Sequence, residues 1–85
     1  MEKFKLITKN NWDFSLYQSD EKMILTVVFH SSRIDFSRSF ILDEQQADLD
    51  FESLKILSEQ IRNNYEPFKE KEVIPAITRE TEPQN

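Results

Sequence analysis

Eighty-five residues with a formal net charge of −5, no cysteine and no glycine describe one small acidic domain, because a second core would need roughly 50 residues or more of its own. The missing cysteines exclude disulfide staples and thiolate metal sites, and the missing glycines exclude Walker loops and Rossmann turns, whose backbones must approach phosphate closely. Seven phenylalanines, two tyrosines and one tryptophan offset the small size, since each large ring removes about 150 to 250 Å² from water.

At the amino end, Phe4, Leu6 and Thr8 alternate with Lys3, Lys5 and Ile7, the period of a first strand, before KNNW interrupts the run. Without glycine, the turns fall to Asn10, Asn11, Ser19, Asp20, Ser31 and Ser32, residues that bond their own backbone or tolerate left-handed geometry. Trp12, Phe14 and Leu16 then alternate with Asp13, Ser15 and Tyr17, which predicts a second strand ended by SDEK at 19–22. The run MILTVVFH at 23–30 is apolar in both phases and rich in β-branched residues, as a central strand covered on both faces would be. In RIDFSRSFIL, Ile34, Phe36 and Phe40 share one phase with Arg38. Four strands with short connections predict an antiparallel meander.

The cover for its apolar face is the helical pattern from about Phe51 to Tyr65, where Leu54, Leu57, Ile61 and Tyr65 recur at spacings of three and four. Asp50 is one N-cap for it; Asp43, with Gln46 completing a capping box, is the other. Pro67 marks the end. Beyond it, Val73, Ile74, Ala76 and Ile77 form a small apolar cluster that adds an edge strand or packs onto the sheet. The expected fold is therefore α+β: a four-stranded antiparallel β-meander with one main helix on one face, a single domain over 1–77 and a flexible tail over 78–85.

The amino terminus lacks the apolar run of a secretory signal, and no segment approaches the roughly 20 apolar residues of a membrane span, so no membrane and a cytoplasmic location are expected. Nucleic acid is not the expected partner either. The charge is negative, and the only basic concentration is Lys3, Lys5 and Lys9. No cofactor or metal is expected, and an EF-hand loop would need a glycine and spaced oxygen ligands that are missing.

Charge is unevenly distributed: residues 43–65 carry six acids against two bases, and DEQQADLDFE at 43–52 holds five carboxylates and no base. Acids at a helix entrance interact favourably with its dipole, which gives Asp43, Glu44, Asp50 and Glu52 a purely structural reading. The functional reading is a docking face for a basic protein, in which Asp43, Glu44, Asp48, Asp50 and Glu52 meet lysines and arginines. Tyr17 and Phe68 are the aromatic candidates for the same contact, whereas Trp12 and Phe14 are assigned to the core. His30, Ser32 and Asp35 contain the residue types of a nucleophilic triad, but neighbouring strand residues point to opposite faces and no glycine-built oxyanion loop accompanies them. His30 therefore reads as a strand-end histidine with an ordinary hydrogen bond, and Arg38 as a residue that snorkels or pairs with a carboxylate.

The stretch RSFILDEQQADLDFESLKILSEQIRNNYEPF joins an apolar strand, an acidic entrance, a leucine-bearing helix and an aromatic after proline. In that order it resembles small acidic immunity proteins of bacterial toxin systems, including contact-dependent inhibition. The resemblance implies recognition of a cognate toxin by shape and charge and transfers no functional residue. The expected function is non-enzymatic protein binding, with neutralisation of a basic toxin such as a nuclease as the finer reading, because an acidic inhibitor imitates the polyanion a nuclease binds. The alternative is a self-associating structural or accessory protein that pairs through an exposed sheet edge, as a homodimer would.

Overall fold

A computed structural model describes residues 3–19, 22–30, 34–43, 50–74 and 76–78. Five antiparallel strands follow one another in space as they do in sequence: β1 (Lys5–Asn10), β2 (Phe14–Ser19), β3 (Lys22–His30), β4 (Asp35–Ile41) and β5 (Glu72–Val73). Between β4 and β5 the chain forms helix α1 (Phe51–Asn63) and a short 3-10 helix (Glu66–Lys71). The fold is the expected α+β meander, with the Val73 cluster supplying a fifth strand of two residues at the edge.

Register decides what each face carries. Phe14 pairs with Val27 and Val27 with Arg38, while Leu16 pairs with Leu25, Leu25 with Phe40 and Phe40 with Glu72. These residues share the face under α1, where Phe14, Leu16, Leu25, Val27, Phe40 and Leu42 enclose Leu54, Leu57 and Ile61 in one buried cluster. The helix supplies those three leucine and isoleucine side chains at spacings of three and four, as an amphipathic helix must. Its start is fixed by Asp50, whose carboxylate accepts the Ser53 N–H at 2.8 Å. Asp50 is thus the cap of α1; Gln46 of the box expected from Asp43 lies outside the described residues. Ser58, fully buried, donates to the Leu54 carbonyl at 2.8 Å and so leaves no orphan hydroxyl inside the helix.

The opposite face pairs Tyr17 with Ile24 and Ile24 with Ile41, and Ser15 with Thr26, Thr26 with Ser39 and Ser39 with Val73. Tyr17, Ile24, Thr26 and Ser39 are all buried there. The two phases of MILTVVFH are thus both covered, as its composition requires. Part of the second cover is the chain's own carboxyl-terminal segment: Thr26 donates to the Ile77 carbonyl at 2.5 Å, and the Ile77 N–H donates to Ser39 Oγ at 2.8 Å. The two hydroxyls lie 2.7 Å apart. Residues 76–78 therefore strap the back of the sheet after β5 has lengthened its edge. Of the tail expected over 78–85, Thr78 is exposed and the rest lies outside the described residues.

Two expectations need correction. Trp12 is not a core residue: β2 begins at Phe14, and Trp12 stands 75% exposed in the preceding turn. In that turn the left-handed geometry falls on Trp12, at φ 65°, instead of on Asn10 or Asn11. The helix also ends at Asn63, two residues short of Tyr65, which instead precedes the 3-10 helix.

The back-face hydroxyls carry a direct consequence. Replacing Ser39→Ala leaves the half-buried Ile77 N–H without its acceptor, so the variant should lose about 1 kcal/mol or more in urea unfolding. A loss under about 0.5 kcal/mol would mean that the strap contributes nothing to the fold.

Candidate functional site

The acidic candidates divide in three. Asp43 pairs with Lys71 of the 3-10 helix, so its charge is already answered within the chain. Asp50 is exposed but committed to capping α1; its carboxyl is held below its usual value first by the Ser53 backbone N–H and then by the Ser53 side chain. Glu52, in the first turn, is exposed and joins no ion pair among the described residues. Glu44 and Asp48 lie outside the described residues. The aromatic candidates both face inward. Tyr17 is 3% exposed, because its strand position is on the back face. Phe68 is half-buried, with its ring edge-on to Phe40 at 6.5 Å between centroids. Neither is an open anchor.

A different set of residues meets at the other end of the sheet, around the turn between β1 and β2. The Asp13 N–H closes the turn onto the Asn10 carbonyl at 2.9 Å, and Asn10 Nδ2 donates to the Asp13 carboxylate at 2.9 Å. Arg62, from the last turn of α1, donates through Nε to the Val28 carbonyl and through a terminal nitrogen to the Asp13 carbonyl, both at 2.6 Å, and forms an ion pair with the Asp13 carboxylate. The Asp13 carbonyl also accepts the Val28 N–H at 2.9 Å. On the far side, His30 Nε2 lies 3.2 Å from the Trp12 carbonyl oxygen and Nδ1 lies 3.1 Å from the Asp35 carboxylate. His30 and Asp35 are cross-strand neighbours, and since both ring contacts are to acceptor oxygens the tautomer decides which of them takes the N–H of a neutral ring; either is the ordinary hydrogen bond its strand-end position suggested. Both of its ring nitrogens face oxygens in this arrangement, and Ser32 lies outside the described residues.

The turn is therefore tied from three directions while its central side chain points to solvent. A bulky side chain at positive φ costs on the order of 1 to 3 kcal/mol and persists only where its surroundings over-determine it. Here those surroundings are Asn10, Asp13, His30 and Arg62.

Next to this turn, Phe36 of β4 is 40% exposed and Ile34, just before the strand, 66%. Phe36 stacks on Phe29 at 5.4 Å, with the planes 5° apart, and the Arg38 guanidinium lies 4.8 Å from the Tyr65 ring centroid and 5.3 Å from that of Phe36. Arg38 pairs with Glu72 at 2.9 Å, the carboxylate partner its strand phase called for, and the Tyr65 hydroxyl donates to the same carboxylate. Burial acts to raise the Glu72 carboxyl, but the hydrogen bonds from Tyr65 and Arg38 and the charges of Arg38 and Lys69 outweigh it, so it sits below its usual 4.5. Tyr65 is raised, chiefly by donating to Glu72 and then by burial. Sequence reading missed Ile34 and Phe36 as surface residues because their phase is that of the core. The available signal was Arg38 in the same phase, which marks the limit of the helix cover.

Among the described residues no group of three or more His, Cys, Asp and Glu side chains could hold a metal ion, and no helix is long and apolar enough to cross a membrane. What the turn and its neighbours offer chemically is apolar area, one exposed indole on a tied backbone and a few polar groups already engaged. Comparison with protein-family models, with curated proteins and with solved structures returns no match.

A carboxyl lowered by folding contributes stability that is complete above its unfolded value and is lost as pH falls through the folded one. Wild type should therefore lose melting temperature below about pH 5 more steeply than Glu72→Gln, which has no carboxyl to protonate. Parallel melting curves from pH 7 to pH 3 would show instead that Glu72 does not tie β5 to the helix end.

Proposed function

We propose that this chain is a non-enzymatic protein-binding module whose docking surface is centred on Trp12. The observation that carries the reading is the contradiction between what Trp12 costs and what it does for the fold. It is the only tryptophan, it adopts positive φ, it is 75% exposed, and the turn beneath it is held by side chains from α1, β3 and β1. A strained backbone that presents a large aromatic to solvent contributes little to folding and has the form of a preorganised anchor. Fixing the backbone beneath the indole in advance removes part of the ordering cost that a partner would otherwise meet on binding.

Within that class the finer reading is neutralisation of a basic toxin such as a nuclease. It is supported by the net charge of −5 and by Glu52, exposed at the entrance of α1 beside the exposed ring of Phe51. Asp43 and Asp50 contribute less than their number suggests, since one is paired and the other caps the helix. The acidic surface acts at long range, on the rate of encounter, and the indole acts at short range, on the lifetime of the complex.

Trp12→Gly separates the two roles of the residue. Glycine adopts positive φ freely, so the unfolding free energy should stay within about 1 kcal/mol of wild type. Affinity for a partner captured with the wild-type chain should fall by roughly 30-fold or more, the loss of about 2 kcal/mol expected of a central aromatic anchor, as measured by titration calorimetry. Unchanged affinity would remove Trp12 from the interface. For the finer reading, Glu52→Lys should slow association with a basic partner and flatten its salt dependence in stopped-flow mixing, without disturbing the Asp50 cap. Association that keeps its rate and its salt dependence would sink the toxin reading alone.

A further inference from the structure

The two edges of this sheet are finished differently. β1 forms the first edge, and its pairing with β2 slips at a bulge between Leu6 and Thr8, while Lys5 and Lys9 stand exposed along it. Bulges and lysines are the usual defences of an edge against another strand. The second edge is shared. β5 pairs only with Ser39 and Phe40 of β4, and the chain then leaves the edge at Ile74, 82% exposed, with Pro75 next in the sequence. From Asp35 to Arg38, β4 has β3 on one side and, among the described residues, no strand on the other. That open half is regular: seven successive pairs from Ile24↔Ile41 to His30↔Asp35 hold one register without a bulge. It also carries the exposed Phe36, with Ile34 exposed just before it.

The geometry points to a second copy of this chain as the occupant of that edge, with the open half of β4 pairing antiparallel to its own counterpart. A two-fold axis perpendicular to the sheet keeps each face on its own side, so residues can pair only with residues of the same face, and the register must be centred on a residue. Centring on Asp35 opposes two carboxylates, and centring on Ser37 drives Asp35 onto a Ser39 already paired with Val73. Centring on Phe36 meets neither obstacle. It sets Phe36 against Phe36, Asp35 against Ser37, and Ile34 against the stem of Arg38, whose charge is turned toward Glu72 and Tyr65. Phe36 and the preceding Ile34 are then both covered on the helix side of a continuous sheet. The contact is small, so association is weak and depends on concentration across the micromolar to millimolar range.

This inference stands apart from the Trp12 reading, and sedimentation equilibrium of the full chain keeps the two distinguishable. Wild type should show a monomer and dimer equilibrium, Phe36→Lys should weaken it at least tenfold with an unchanged circular dichroism spectrum, and Ile7→Lys on the guarded edge should match wild type. Trp12→Gly should dimerise as wild type does. If Phe36→Lys does not fold, Ile34→Lys takes its place with the same expectation, since Ile34 precedes the strand and is largely exposed. A wild type that stays monomeric throughout, an edge variant that associates undiminished, or loss of the dimer in Ile7→Lys or Trp12→Gly would each overturn the assignment.

Discussion

One guanidinium joins three parts of this protein that the backbone leaves separate. Arg62 closes the last turn of α1 and reaches across the end of the sheet to the Val28 carbonyl of β3 and to both the carbonyl and the carboxylate of Asp13 in the first turn. The group is largely withdrawn from water, with 20% of the side chain exposed, so its desolvation has to be offset by well-placed acceptors. It has three, in the planar fork that suits arginine and not lysine. The exit of the helix, the edge of the core and the shape of the turn all depend on that arrangement. Trp12 is where it reaches the surface.

A chain without glycine has to assign left-handed backbone to a residue that resists it. In most turns asparagine would take the position, and two asparagines precede Trp12. The geometry falling on the tryptophan puts the largest side chain in the sequence on an exposed point of the turn, while His30 and Arg62 hold the backbone on either side. Rigidity and exposure therefore have the same cause. The rest of the molecule is economical around that feature: α1 covers one face of the sheet, and residues 76–78 take part in covering the other through main-chain bonds to Thr26 and Ser39.

Much of this was legible in the residue pattern. Period-two alternation located four strands, the two-phase apolar run of β3 marked it as central, and Leu54, Leu57 and Ile61 marked the helix face. The cap at Asp50 and the carboxylate partner of Arg38 also followed from residue type and phase. Tyr17 and Trp12 did not, and for one reason: alternation assigns a face but does not say how far a strand extends or what covers it. Trp12 is in phase with Phe14 yet lies before the strand begins, and Tyr17 is on the polar phase yet lies on a face that is also buried. The second cover comes from more than 35 positions further along the chain, through bonds such as that from Ile77 to Ser39, which no local pattern announces. The acidic stretch left two readings open, a structural one and a docking one, and composition alone does not show that Asp43 is engaged by Lys71 and Asp50 by the helix.

The functional account rests on the turn being rigid before any partner arrives. A flexible tryptophan loop would be an ordinary surface feature of a small domain, and the strain at positive φ would then be relieved by motion. Backbone nitrogen-15 relaxation of the free chain decides between these directly. The account predicts order parameters for Asn11, Trp12 and Asp13 close to those of β3, about 0.85, falling in Arg62→Met; values below about 0.6 in wild type would contradict it.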